Sequence, residues 1–286
     1  MMTKGGERPV WYDCEGEAVL GILHNDHDAP DMGFVIIVGG PQYRVGSHRM
    51  FVQWARRFAA EGFAALRFDC RGMGDSGGQF PGFERLDPDV RSAVDCLAAA
   101  CPTLSRIALV GLCDGATAAA IYAHTDPRVT DLVLLNPWVH TEQTEAKTYL
   151  WHYYPRRLMQ ADFWRSLWSG NVRVVKSALD LARNIGATVG KSIGERSCHD
   201  EHYIDRMRHG LLGFNGNTLV LTSERDMVAT EFLGFLDGHD DWQPVRDRIT
   251  LTQIPGSDHT LSDKSAMDAF VSLTLDWIRS APGRVQ

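Results

Sequence analysis

The chain has 286 residues, 44% hydrophobic and 23% charged, which supports a large packed core and argues against intrinsic disorder. With 29 Lys and Arg against 36 Asp and Glu the formal charge is −7, which speaks against a general affinity for nucleic acid or anionic membrane. The six cysteines have no metal or redox spacing, Met1 to Val10 holds no apolar signal core, and no run approaches the ~20 apolar residues of a membrane span, so the expectation is a cytoplasmic protein with reduced thiols.

In chain order, Val10 to His24 alternates loosely between apolar and polar residues and, with the turn-rich Asn25 to Gly33, reads as a hairpin or meander. Phe34 to Val38 is a short continuous apolar run of the buried parallel-strand type, closed by Gly39, Gly40 and Pro41. Ser47 to Gly62 places Met50, Phe51, Trp54 and Phe58 at helical spacing, with Ser47 as N-cap and Gly62 as the stop. The unit then repeats as strand Phe63 to Phe68, helix Glu84 to Cys101, strand Arg106 to Val110, helix Asp114 to Thr125 and strand Val129 to Leu135. Strands Thr218 to Thr222 and Arg248 to Ile254 and helix Lys264 to Ile278 resume the pattern. Such alternation predicts an α/β fold with a mostly parallel central sheet flanked by helices. The stretch from 139 to 215, rich in aromatic and arginine side chains, is longer than one crossover and reads as a helical cap inserted in a core of 10–138 and 216–280.

Three glycine motifs invite functional readings. Gly72-Met73-Gly74-Asp75-Ser76-Gly77 follows a strand as a dinucleotide fingerprint would, but Gln79 to Gly82 extend the loop where a helix should begin. Gly74-Asp75-Ser76-Gly77-Gly78 mimics a protease nucleophile region that belongs to all-β folds, and no such strand pattern surrounds it. Gly111-Leu112-Cys113-Asp114-Gly115 lies where a strand meets the alanine-rich helix, the place of a nucleophile elbow, with cysteine in the serine position. There the nucleophile occupies a strained turn, the flanking glycines let backbone pass closely, and the helix N-terminus favours a thiolate. A small buried cysteine in tight strand-helix packing is the competing explanation.

An elbow fixes the order nucleophile, acid, His. Ser223-Glu224-Arg225-Asp226 follows the strand Thr218 to Thr222 and offers Asp226 as the acid, with Glu224 as alternative; Pro255-Gly256-Ser257-Asp258-His259 offers His259, whose rival is His239. His259 would pair with Cys113 and protonate the leaving group, while Asp226 would fix the imidazole tautomer. The remaining histidines lack HxxxH or HExxH spacing, so neither a metal nor any other cofactor is expected.

These residues resemble the α/β-hydrolase superfamily over nearly the full length, through the elbow, the acid and His loops and Asp69-Cys70-Arg71-Gly72-Met73-Gly74-Asp75-Ser76, which matches the superfamily's DxRGxGxS loop. More narrowly, Val38 to Arg49, Gly111-Leu112-Cys113-Asp114 and Leu134-Leu135-Asn136-Pro137-Trp138-Val139 resemble the exosortase A system-associated hydrolase type 1 family. That resemblance implies a bacterial protein of exopolysaccharide and PEP-CTERM sorting systems, with protein partners in that assembly; the elbow cysteine is also similar to that of dienelactone hydrolases. It further implies an oxyanion hole formed by the N–H of Asp114 and a residue after the first glycine turn. The matching position is Pro41, which has no N–H, so Gln42, or else Tyr43, takes that place. Arg71 is expected to brace its loop, whereas Arg44 and Arg49, with Trp138, Tyr149 and Trp164, are candidates for binding substrate. The expected function is a cysteine hydrolase, or acyl-transfer enzyme, acting on a small-molecule ester, thioester or lactone, a homodimer being allowed. The alternative is a non-catalytic binding or scaffolding protein of the same fold.

Overall fold

A computed structural model of the protein describes residues 6–26, 29–39, 42–140 and 197–280. Eight strands are formed by Gly6–Cys14 (β1), Glu17–Asn25 (β2), Met32–Ile37 (β3), Ala64–Phe68 (β4), Arg106–Leu112 (β5), Val129–Leu135 (β6), Asn217–Ser223 (β7) and Ile249–Ile254 (β8). They lie in one sheet in the order β1-β2-β4-β3-β5-β6-β7-β8. β1 and β2 form an antiparallel hairpin closed by Glu15 (φ 53°) and Gly16 (φ 86°), both left-handed as a two-residue type I′ turn requires. β2 meets β4 antiparallel, and from β4 to β8 every pairing is parallel.

Parallel strands are covered on both faces, so β3 and β4 are buried at every position; β3 reads in sequence as an unbroken apolar run and β4 as one interrupted only by Arg67. On one face Phe34, Ile36, Val110, Val133 and Leu221 pack against the helices Met50–Ala60 (α1) and Lys264–Ser280 (α7). Asp87–Ala100 (α2) and Asp114–Tyr122 (α3) pack on β3 to β6 from the other side, and α3 is buried almost throughout because its alanines allow close approach. The further helices are Ser197–Gly213 (α4), Met227–Gly238 (α5) and the short Gln243–Arg246 (α6). The fold is that of an α/β hydrolase, as expected.

The entry to α1 departs from expectation. Ser47 does not cap it; its N–H and Oγ turn back to Gln42 Oε1 at 3.1 and 3.4 Å, and His48 and Arg49 take left-handed backbone, so the helix starts only at Met50. Gly62 stops it as expected, at φ 97° with its N–H on the Ala59 carbonyl. α5 was not foreseen, because Met227 to Gly238 is apolar without a clean amphipathic stripe. The chain divides into two units, residues 1–139 with 206–286, and residues 140–205. The cap insertion, with Tyr149 and Trp164, falls for the most part outside the described residues. Among the described residues no helix is long and apolar enough to cross a membrane.

Candidate active site

The parallel strands all deliver their following loops to one edge of the sheet, where ligand sites of such folds form. Of the six non-glycine residues with positive φ among those described, five lie in these loops: His48, Arg49, Cys113, Asn136 and Leu261. Backbone in such conformations persists only where its surroundings enforce it.

Cys113 follows β5 with φ 58° and ψ −125°, and α3 begins at the next residue. Its N–H donates to the Leu135 carbonyl at 3.0 Å, and its own carbonyl accepts from Ala116 and Thr117 at 3.0 and 3.1 Å. The two glycines of the motif are needed for close approach. A Cβ on Gly111 would lie 2.5 Å from the nitrogen of Ala116, and one on Gly115 would lie 2.7 Å from the carbonyl oxygen of Ile37. The turn therefore threads between α3 and the end of β3, leaving the partly buried Cys113 side chain at the sheet edge.

Asp226 ends the loop after β7 and caps α5, accepting from the N–H groups of Val228 and Ala229 at 3.2 and 3.3 Å. The same carboxylate meets His259 Nδ1 at 2.8 Å. A carboxylate only accepts, so Nδ1 carries the proton and Nε2 is the nitrogen left for Cys113. Burial works against charge on this ring, but hydrogen bonds to Asp226 and Cys113 outweigh it and push the His259 pKa up from 6.5 to about 10. The structure thus brings His259 and Asp226 into a direct hydrogen bond, with the Cys113 thiol near enough to the ring to help hold its proton. Glu224 is exposed and bonds the Gly256 N–H instead, while His239 faces the Phe235 carbonyl at 2.8 Å.

Asp114 occupies the first position of α3, and its carboxylate turns toward Gly39 at the end of β3. Gly40 and Pro41 lie outside the described residues; Gln42, the next residue, spends its side-chain carbonyl on Ser47 and retains its backbone N–H and Nε2 as donors. Arg44 departs from the substrate-binding expectation, because its guanidinium pairs with the fully buried Asp69 and with Asp75, the latter at 2.6 Å. Asp69 also accepts the Asp75 N–H at 3.0 Å, so Arg44 braces the DxRGxGxS loop. Arg71 braces the same loop as expected, donating to Asp89 from its backbone at 2.8 Å and from Nη2 at 2.9 Å. Arg49 is exposed at the entry to α1, and Tyr43 is also exposed. Trp138 is half-buried, its N–H 3.0 Å from Thr117 Oγ1.

The residue that site reasoning passed over is Asn136, fully buried and left-handed at the end of β6, with its side chain between the acid and His loops. The available signal was an Asn-Pro pair closing a buried strand, the composition of a sharp turn. Among the described residues no cluster of His, Cys, Asp and Glu could hold a metal ion. A cleft of about 380 Å³ opens among Leu211, Phe214, Asn217, Arg248, Ile249 and Trp277, at the amino ends of β7 and β8, and contains none of the residues above.

Comparison with known proteins agrees with the fold. The structure superposes on the esterase Pf2001 of Pyrococcus furiosus with a TM-score of 0.65 at 15% identity, covering 98% of this chain and 94% of that one. Dienelactone hydrolase of Anabaena variabilis gives 0.62 at 14% identity, with 98% and 99% covered. XC6422 of Xanthomonas campestris, described as an α/β serine hydrolase without lid, gives 0.59 at 14% identity, with 100% and 99% covered. No curated protein matches the sequence. The family model Hydrolase_4, described as serine aminopeptidase, S33, matches residues 33–211. With more than half of its length in that match, the chain belongs to the Hydrolase_4 family and is a hydrolase, one in which cysteine stands at the strand-to-helix turn.

Proposed function

We propose that the protein hydrolyses activated carboxylic esters, thioesters or lactones through an acyl-thioester on Cys113. The observation that carries this reading is the His259–Asp226 hydrogen bond beside Cys113, which itself sits in the strained turn ahead of α3. His259 serves as the base for Cys113 and holds the proton while the ionised sulfur attacks. Sγ attacks the carbonyl carbon and the carbonyl π pair moves to oxygen. The N–H of Asp114, with Gln42 as second donor, stabilises that oxyanion. As the oxyanion collapses, the bond to the leaving group breaks and His259 Nε2 gives it a proton. The neutral ring then takes a proton from water, whose oxygen attacks the thioester and expels Cys113 as thiolate while the acid product departs. Asp226 holds the ring in one tautomer throughout. Two fold neighbours are described as an esterase and a dienelactone hydrolase, which supports acyl chemistry as the class to screen. The sequence resemblance adds a link to bacterial exopolysaccharide and exosortase systems, and the sequence itself a cytoplasmic setting with Arg49 and Trp138 as substrate contacts.

Iodoacetamide labelling at pH 7, read peptide by peptide, tests the nucleophile. Burial pushes the thiols of Cys14, Cys70, Cys96 and Cys101 up, Cys96 to about 11, so these should label slowly. Cys113 should label faster than all four and lose that advantage in His259→Ala. Cys113→Ala and His259→Ala should each lower turnover of an activated thioester about 100-fold or more with the melting temperature retained. Slow labelling of Cys113 with no dependence on His259, and turnover unchanged in both variants, would sink the proposal.

A further inference from the structure

We propose that Asn136 is a positioning residue that ties the His259 loop to the end of β7 and so sets the contact between His259 and Asp226. The inference rests on the Cys113, His259 and Asp226 reading above. Asn136 is fully buried, and its backbone turns left-handed at φ 47°, a conformation asparagine tolerates better than other side chains. Its N–H extends the β6–β7 ladder to the Leu221 carbonyl at 2.9 Å. The side-chain amide is then used at both ends. Oδ1 accepts the N–H of Ser223 at 2.7 Å, while Nδ2 donates to Ser223 Oγ at 3.0 Å and to the backbone carbonyl of His259 at 3.3 Å. Its orientation follows from the partners, because a peptide N–H can only donate and a peptide carbonyl can only accept.

The bonds fall on both halves of the Asp226–His259 pair. Ser223 carries the carbonyl that accepts the Asp226 N–H at 3.3 Å, so holding Ser223 fixes the start of the acid turn. The other bond holds the main chain of the base itself. β7 and β8 are already joined beside it, through Arg225 N–H to the Ser257 carbonyl at 2.9 Å. That link reaches only to Ser257, and the turn beyond it is closed on itself by Asp258, which accepts from Thr260 and Ser262 at 3.2 and 2.9 Å; the Asn136 amide is the bond that ties the main chain of His259 itself to β6 and β7. A ring displaced from Asp226 also loses its alignment on Cys113, and displacements of about 1 Å cost reactions of this kind about 10- to 100-fold.

The test uses the intact protein and two variants. Asn136→Gly keeps the left-handed backbone and deletes the amide. Asn136→Asp keeps the shape and the acceptor for Ser223 but cannot donate to the His259 carbonyl, and it covers the case in which the glycine variant does not fold. The readouts are the NMR titration of His259, which faces Asp226 and Cys113, and the kinetics of p-nitrophenyl acetate hydrolysis. In Asn136→Gly the His259 midpoint should move toward 6.5 by at least about one unit, and kcat should fall about 10-fold or more with KM within about 2-fold. Combined with Asp226→Asn, the loss should be less than the product of the single losses, because both act through one contact. A His259 midpoint and kcat unchanged in the folded variants, or a multiplicative double loss, would overturn the inference. If the unsubstituted protein does not turn over the ester, the functional reading fails on its own, and the His259 titration still decides the role of Asn136.

Discussion

His24 and His259 move from the same ordinary pKa of 6.5 in opposite directions. His24 is buried on β2, where Arg67 Nε donates to its Nε2 at 3.0 Å. Burial, and then the charge of Arg67, lower its pKa to about 4, because a proton on Nε2 would face a donor. Between about 6.5 and about 4 the unfolded chain therefore binds a proton that the folded chain refuses, and stability falls as pH falls. For His259, held up to about 10, the folded chain binds the proton more tightly; that contribution is complete below 6.5 and is lost as pH rises through about 10. Melting temperature against pH should thus sag on both sides of neutrality. His24→Gln, which keeps an acceptor for Arg67 and cannot titrate, should flatten the acid limb, and His259→Gln the alkaline limb; limbs unchanged in these variants would refute the assignment. His259 could be picked from the sequence because it follows a strand in the right order. The burial of His24 could not, since it depends on β4 placing Arg67 diagonally across from it, two residues beyond its direct partner Ala65.

The strand-to-helix junction at Cys113 is the element on which the site depends. Gly111→Ala would drive a methyl group into the first turn of α3, where the obstacle is backbone that cannot rotate aside. The substitution should cost about 2–3 kcal/mol in urea unfolding and lower Cys113 labelling with it; a variant as stable and reactive as the original would contradict the steric role. This element was legible because spacing, glycine placement and strand-helix alternation all point the same way. The parallel strands were legible to within two residues, most of them as continuous apolar runs, whereas the hairpin expected from Val10 begins four residues earlier, at Gly6. The α1 entry was not: Ser47 satisfies a local N-cap rule, yet Gln42, five residues back, takes its N–H and hydroxyl first. Arg44 looked available to a substrate anion, and only the tertiary arrangement shows that Asp69 and Asp75 occupy it. Asn136 escaped notice because its partners, Ser223 and His259, are remote in sequence.

Across the whole molecule, the first and the last long helices meet on one face of the sheet. Trp54 of α1 is fully buried, stacks on Phe270 of α7 with ring centroids 4.1 Å apart, and lies with Nε1 3.1 Å from Met267 Sδ. Trp54→Ala should therefore cost about 3–5 kcal/mol in chemical denaturation, while turnover by the folded fraction changes little, since the indole's stacking and hydrogen-bond partners, Phe270 and Met267, are neither Cys113, His259 nor Asp226. A loss of activity without loss of stability would show that this face communicates with the site. The order of the strands has a further consequence. Cys113 belongs to the early part of the chain, whereas Asp226 and His259 follow β7 and β8, after residues 140–205. During synthesis the cysteine leaves the ribosome long before its imidazole does. On the proposed reading, a nascent chain halted ahead of His259 carries the thiol without its partner, so ester turnover should arise only when the last strands dock.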